Sequence, residues 1–318
     1  MGVAELKRRV RELVAAARAR SPLVDHGARA LEHYSAVFGS QLAAAVTYFA
    51  FLSFFPLVAL CFALVGYVVS YVPGADEAVT RTLNSVLPGM VGTGPDQIDI
   101  RAIARARAGV GFVGLVVLLY SGLGWVSALR TSLQAVFGAE PEQRRGFVVG
   151  KVYDLVALIV LGVIMLASVG LGTTATGFTG SVLEFLGLTG VPGARLLVIA
   201  VALLIGLLAN LVVFFVLYRL LPRHTVPTRD VWKGALVAAV GFEVLKLAAS
   251  LVIGSVTGNP LYGAFAIIVA LLVWINYVDR LAVFGAAWAA TASPRSPDDA
   301  ASDDSAAGDV NPGLGSAP

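Results

Sequence analysis

The chain has 318 residues, 58% hydrophobic and 14% charged, with a formal net charge of +3. Soluble domains carry nearer 25% charged residues, so the polar surface cannot cover a water-soluble globule and lipid must cover part of it. The single cysteine, Cys61, excludes an intramolecular disulfide and a cysteine-based zinc site.

Residues 1–40 read as a basic amphipathic arm. The segment ELKRRVRELVAAARAR puts Leu6, Val10, Leu13, Val14 and Ala17 on one helical face. Its basic face suits an anionic inner leaflet, and a helix packed on the cytoplasmic end of a bundle fits equally well. The arm is too charged, and the apolar run begins too late, for a signal peptide.

Residues 41–290 hold six apolar stretches, at about 42–71, 109–128, 152–172, 196–221, 235–256 and 262–290. A helix needs about 20 apolar residues to cross about 30 Å of hydrocarbon. Unbroken runs such as LLVIAVALLIGLLANLVVFFVL predict helices, not the alternating ten-residue segments of a barrel. Pro56 inside the first span predicts a kink that frees a backbone carbonyl for Ser53 or a water, and such breaks line cavities. The connection 72–108 is long, with Pro73-Gly74 and Pro88-Gly89 as punctuation. It carries a short amphipathic helix at 75–87 and a second helical stretch at 98–107 leading into span two. Residues 291–318 lack aromatics, are rich in Pro, Ser, Gly and Asp, and predict a disordered acidic tail.

The basic residues set the orientation. The arm, the loop between spans two and three, the loop between spans four and five, and the tail together hold sixteen Lys and Arg. The other side holds five: Arg81, Arg101, Arg105, Arg107 and Arg195. By the positive-inside rule both termini are cytoplasmic. The expected fold is therefore an all-α membrane protein of six transmembrane helices.

Residues 109–114 spell G-x-G-x-x-G. A helical Arg/Ala stretch precedes them where a dinucleotide site needs a strand, and no acidic residue follows at the right distance, so close helix packing is the better reading. His26, His33 and His224 show no i, i+4 pair, and no G-x-S-x-G elbow occurs. No cofactor motif is visible and no enzymatic activity is expected.

The intramembrane polar residues carry more. Glu243 and Lys246 share a face of span five at i, i+3. Each charge at the bilayer centre costs about 2.5–3.5 kcal/mol even on lenient scales, so the pair must face the bundle or a wet cavity. It is either a substrate or ion site or a self-neutralising lock. Asn276, Asp279 and Arg280 lie in span six, Asn210 in span four and Asp154 at the start of span three. Arg280 can snorkel to the headgroups or pair with Glu243. Asn210 reads as a helix–helix hydrogen bond.

Three blocks resemble the YihY/BrkB family of bacterial inner-membrane proteins, once labelled ribonuclease BN. They are AAAVTYFAFLSFFPLVAL at 43–60, YRLLPRHTVPTRDVWKGALVAAVGFEVLK at 218–246, with its Y-R-x-L-P and Gly234, and NPLYGAFAIIVALLVWINYVDRLAVFGA at 259–286. The resemblance covers roughly residues 30–290 and implies a six-span helical protein of the bacterial plasma membrane. It supplies no catalytic residues, and the sparse histidines argue against a nuclease. The expectation is a transporter-like or lipid-handling protein with a polar cavity lined by spans one, four, five and six, and anionic membrane lipids as partners. A non-transporting envelope scaffold is the alternative. No nucleic-acid partner is expected, and a homo-oligomer is compatible.

Overall fold

A computed structural model describes residues 18–71, 100–139, 149–164, 194–222, 226–256 and 263–293, with Glu5, Ala16, Gly74, Glu77 and Ala167 in isolation. Seven helices of two turns or more run through them: α1 (Pro22–Ala36), α2 (Gly39–Tyr71), α3 (Ile100–Val136), α4 (149–164), α5 (Ala194–Leu220), α6 (Thr228–Val256) and α7 (Gly263–Ala290). No strand occurs among the described residues. Four helices are long and apolar enough to cross a membrane: Gly39–Tyr71, Gly111–Val136, Ile199–Leu220 and Ile268–Ala290. The predicted third span is described only over its first part, as α4. The predicted fifth lies within α6, which also carries Asp230, Lys233, Glu243 and Lys246.

Helix boundaries follow local chemistry. The run IRAIARARAG consists of good helix formers and Gly, with no proline, so α3 begins at Ile100 and continues into the predicted second span without a break. It ends where Gly138 takes a left-handed φ of 67° and Ala139 N–H returns to the Gln134 carbonyl at 3.0 Å. Pro227 stands just before α6 and Asp230 sits in its first turn. Pro56 lies inside a helix that runs unbroken from Gly39 to Tyr71. The Ser53 hydroxyl donates to the Phe49 carbonyl at 2.8 Å. The carbonyl that Pro56 leaves without its helical donor is that of Leu52, so Ser53 does not serve it as expected.

One core joins the start of α2 (Ala43, Val46), the end of α3 (Val126, Leu129, Leu133), the middle of α4 (Ala157, Leu161), the end of α5 (Phe214, Leu217, Tyr218), the start of α6 (Ala235, Ala238, Ala239) and the end of α7 (Val283, Ala286, Ala287). The start of α2 meets the end of α3, and the end of α5 meets the start of α6 and the end of α7, so successive helices within each of these groups run in opposite directions. Away from this core the helices show water-avoiding surface outward: Leu52, Leu64, Phe112, Val116, Leu204, Leu208, Val244 and Leu272 are all exposed. A belt of this kind needs an apolar solvent.

Small residues set how closely the helices approach. Gly111 meets Ala63, Gly114 lies against the Pro56 carbonyl, and Gly124 admits the Phe49 ring, so α2 and α3 pack along their length. Two of the three glycines of the G-x-G-x-x-G run are thus helix contacts, as the packing reading expected. Gly234 of α6 and Gly285 of α7 cross backbone to backbone: a Cβ on Gly234 would lie 2.7 Å from the Ala289 Cβ, and one on Gly285 2.8 Å from the Ala238 Cβ.

Of the arm, α1 packs on the end of the bundle formed by this core. His26 donates to the Trp288 carbonyl at 3.0 Å and its ring lies 4.2 Å from the Trp288 ring. His33 donates to the Val136 carbonyl at 2.7 Å, covering an open carbonyl at the end of α3. Arg18 bonds Asp25 and Glu32. The face formed by Leu6, Val10, Leu13, Val14 and Ala17 lies outside the described residues, as do His224 and the tail beyond 293.

Candidate functional site

Most of the polar residues expected in the membrane fall into two sets on different helix pairs. The first lies between α5 and α6. Glu243 Oε1 accepts from Lys246 Nζ at 2.8 Å and from Asn210 Nδ2 at 2.7 Å. Asn210 is thus the interhelical hydrogen bond the sequence suggested. Gly206, one turn before Asn210, makes the room: a Cβ there would stand 3.1 Å from Glu243 Oε1. Glu243 is largely buried, while Lys246 holds its Nζ 5.4 Å from the Phe242 ring centroid and leaves 41% of its side chain exposed. Glu243 is therefore engaged by its own helix and by α5, and it does not pair with Arg280.

The second set lies between α2 and α7. The Thr47 hydroxyl stands 2.8 Å from Asp279 Oδ2 and can donate its one proton there, with the Ala43 carbonyl as the alternative acceptor at 2.8 Å. Asn276 Nδ2 donates to Thr47 at 3.2 Å. Asp279 is buried, and among the described residues no cation lies within ion-pairing distance of it. Arg280, next in sequence, takes no part in this hydrogen-bonded set. It is exposed, its guanidinium lies 6.0 Å from the Tyr277 ring centroid, and it has no acidic partner among the described residues. It borders two grooves. One, of about 500 Å³, has Ala44, Thr47 and Tyr48 on one wall and Leu272, Val273 and Asn276 on the other. The smaller, of about 300 Å³, runs along α6 and α7 beneath Tyr34.

Ser53 and Pro56 stand apart from both sets. Pro56 is buried against α3 at Gly114.

A third polar contact is structural. Arg130 near the end of α3 forks onto Asp154 of α4, with Nε to Oδ1 at 2.8 Å and Nη2 to Oδ2 at 3.2 Å, and Asp154 is wholly buried. A bidentate fork of this kind is among the strongest side-chain contacts. The expected spans, 109–128 and 152–172, leave Arg130 in the loop between them, whereas it lies within α3. The two residues lie on either side of a helix break, and no periodicity links them. Tyr153, beside Asp154, donates to the Leu220 carbonyl at the end of α5.

Outside the predicted spans, burial and the neighbouring positive charges lower the pKa of His26, although its bond to the Trp288 carbonyl opposes them. Asp230 lies below the usual carboxylate range. Its burial opposes this, but the Lys233 ammonium at 2.6 Å and the Ser293 hydroxyl outweigh it.

The family described as virulence factor BrkB matches residues 30–309. The chain is 31% identical over 280 residues to an uncharacterised protein of Dickeya dadantii (strain 3937), covering 86% of this chain and 85% of that one. It is 30% identical over 288 residues to the inner membrane protein YhjD of Escherichia coli (strain K12), covering 87% and 85%. It is 27% identical over 237 residues to a UPF0761 membrane protein of Stenotrophomonas maltophilia (strain K279a), covering 74% and 53%. No solved structure matches the chain. With helices apolar enough to span a bilayer and a match across most of its length, the chain is an integral membrane protein of the BrkB family.

Proposed function

We propose that the protein is a six-span plasma-membrane protein, with both termini cytoplasmic, that moves an anionic lipid or amphipathic solute past the bilayer centre without covalent chemistry. The start of α2 and the end of α7 meet in one core, which supports an even number of crossings, and the excess of basic residues on one side supports the orientation. Labelling of single cysteines placed at either end of the bundle, in a Cys61→Ser chain, tests these sides.

One observation carries the lipid reading. Arg280 lies near the middle of the 28-residue α7, unpaired among the described residues, on a groove whose walls are apolar at Leu272 and Val273 and polar at Thr47 and Asn276. An unneutralised cation at that depth is costly unless it meets water or an anion. A phosphate-bearing headgroup would supply the anion, and the apolar wall would take its chains.

Liposomes containing the protein and a fluorescent phosphatidylglycerol, bleached from outside with dithionite, test this. Protein-dependent loss of the protected signal, slowed by Arg280→Gln, is the expected result. Sealed vesicles with folded protein and no such loss would sink the proposal, as would an Arg280→Gln protein as fast as the parent.

A scaffold role is the second reading, favoured by the Lys246–Glu243–Asn210 set. There the charges neutralise each other and bind α5 to α6, which is what a lock between helices requires.

A further inference from the structure

We infer that the face of the bundle opposite Arg280 holds a resident anionic phospholipid, seated between α2, α3 and α4 with its headgroup at Lys151. The groove there measures about 510 Å³. Its apolar part is formed by Leu42, Ala45 and Phe49 of α2 and by Tyr120 and Leu123 of α3, and its polar end by Thr131 and Lys151.

Charge selects the occupant. Two cations approach this end, but the buried Asp154 engages Arg130 on both oxygens. Lys151 makes no ion pair among the described residues and is only partly exposed. Among the described residues one net positive charge therefore remains at the mouth, beside the Thr131 hydroxyl. Depth selects a lipid over a free anion. Tyr120 and Thr131 mark the ends of the groove on α3, separated by roughly 16 Å at 1.5 Å per residue. That matches the hydrocarbon depth of one leaflet, about half of 30 Å. A lone phosphate or carboxylate would leave the apolar wall empty.

The site is separate from the groove proposed for movement. Leu42, Ala45 and Phe49 face it, whereas Ala44, Thr47 and Tyr48 face the Arg280 groove from the other side of α2. It stands whether or not lipid moves past Arg280.

Native mass spectrometry of the detergent-purified full chain tests it, with dioleoyl phosphatidylglycerol and dioleoyl phosphatidylcholine added in turn. The parent is expected to retain the first over the second. Lys151→Gln is expected to weaken phosphatidylglycerol retention roughly fivefold, the effect of about 1 kcal/mol per basic residue at an anionic surface. Lys151→Arg restores it, and Arg280→Gln leaves it unchanged. Leu123→Trp, which fills the apolar wall and keeps the charge, expels the lipid and serves if Lys151→Gln fails to fold. Equal retention of the two lipids overturns the inference. So does a preference that survives both Lys151→Gln and Leu123→Trp, or one that is lost only with Arg280→Gln.

Discussion

The hydroxyl of Tyr218 stands where a β-carbon on Gly285 would have to be. Tyr218 is wholly buried and donates to the Ala282 carbonyl at 2.7 Å, one turn before Gly285 on the same helix. Gly285 also lets α7 meet α6 at Gly234. Tyr218, Gly234 and Gly285 all fall in the blocks that resemble the family, so those blocks describe a helix junction.

Gly285→Ala is therefore expected to destabilise the protein by about 2 kcal/mol, through overpacking and displacement of the buried hydroxyl. In a Tyr218→Phe background the same change is expected to cost less, because the displaced atom is gone. Thermal or denaturant unfolding of the four proteins of this cycle in detergent measures the coupling. Simple additivity would show that the two residues do not contend for this space.

At the α5–α6 set, Lys246→Met removes the cation from a largely buried carboxylate and is expected to cost about 2 kcal/mol. Adding Glu243→Gln is expected to recover most of it, because breaking a buried pair costs more than replacing it. A double variant as unstable as the single one would show that Glu243 is stabilised by something other than Lys246.

The Arg130–Asp154 fork is the more sensitive pair, since Asp154 is fully buried and Glu243 is not. Arg130→Met leaves an unpaired carboxylate in the core and is expected to cost about 3 kcal/mol, more than Lys246→Met. Paired with Asp154→Leu, it is expected to approach the parent. The order of the two single variants in one unfolding series decides the comparison.

Docking of α1 is expected to weaken with acid. The folded chain holds the pKa of His26 below the ordinary histidine value of 6.5 because burial disfavours the charged ring. Between the folded value and 6.5 the unfolded chain binds more protons, so stability rises with pH. The contribution is full above 6.5 and is lost as pH falls through the folded value. Asp230 acts in the same direction at lower pH, below 3.8. Amide hydrogen exchange across α1 at pH 7.5 and pH 5.5, each corrected for the intrinsic exchange rate at that pH, should show lower protection factors at the lower pH. His26→Gln should flatten the difference, whereas an unchanged difference would assign it elsewhere.

Helical class and the apolar stretches were legible because lipid imposes a strong rule: backbone groups must be satisfied within the segment and side chains must be apolar over its length. Boundaries were less legible. α3 joins the predicted helical stretch at 98–107 to the predicted span and then runs on to Val136, past the predicted end at 128, because that flank is largely helix-forming and no membrane constraint marks its end. The polar residues were legible as a set, since each departs from an apolar background. Among the described residues most of them fall on two helix pairs, α5–α6 and α2–α7, a grouping that depends on helix rotation and has no signature in the sequence.

Composition and periodicity determined that this chain is a helical membrane protein, which residues are costly there, and that the glycine run serves packing. They did so because those properties depend on neighbours in sequence. Only the tertiary structure decided that Glu243 joins Asn210 and Lys246, that Asp279 joins Thr47 and Asn276 while Arg280 faces outward, and that Arg130 is spent on Asp154. Each of these sets draws at least one partner from a second helix. Which ones meet depends on the rotation and depth of each helix, and here glycines with no room for a β-carbon set both.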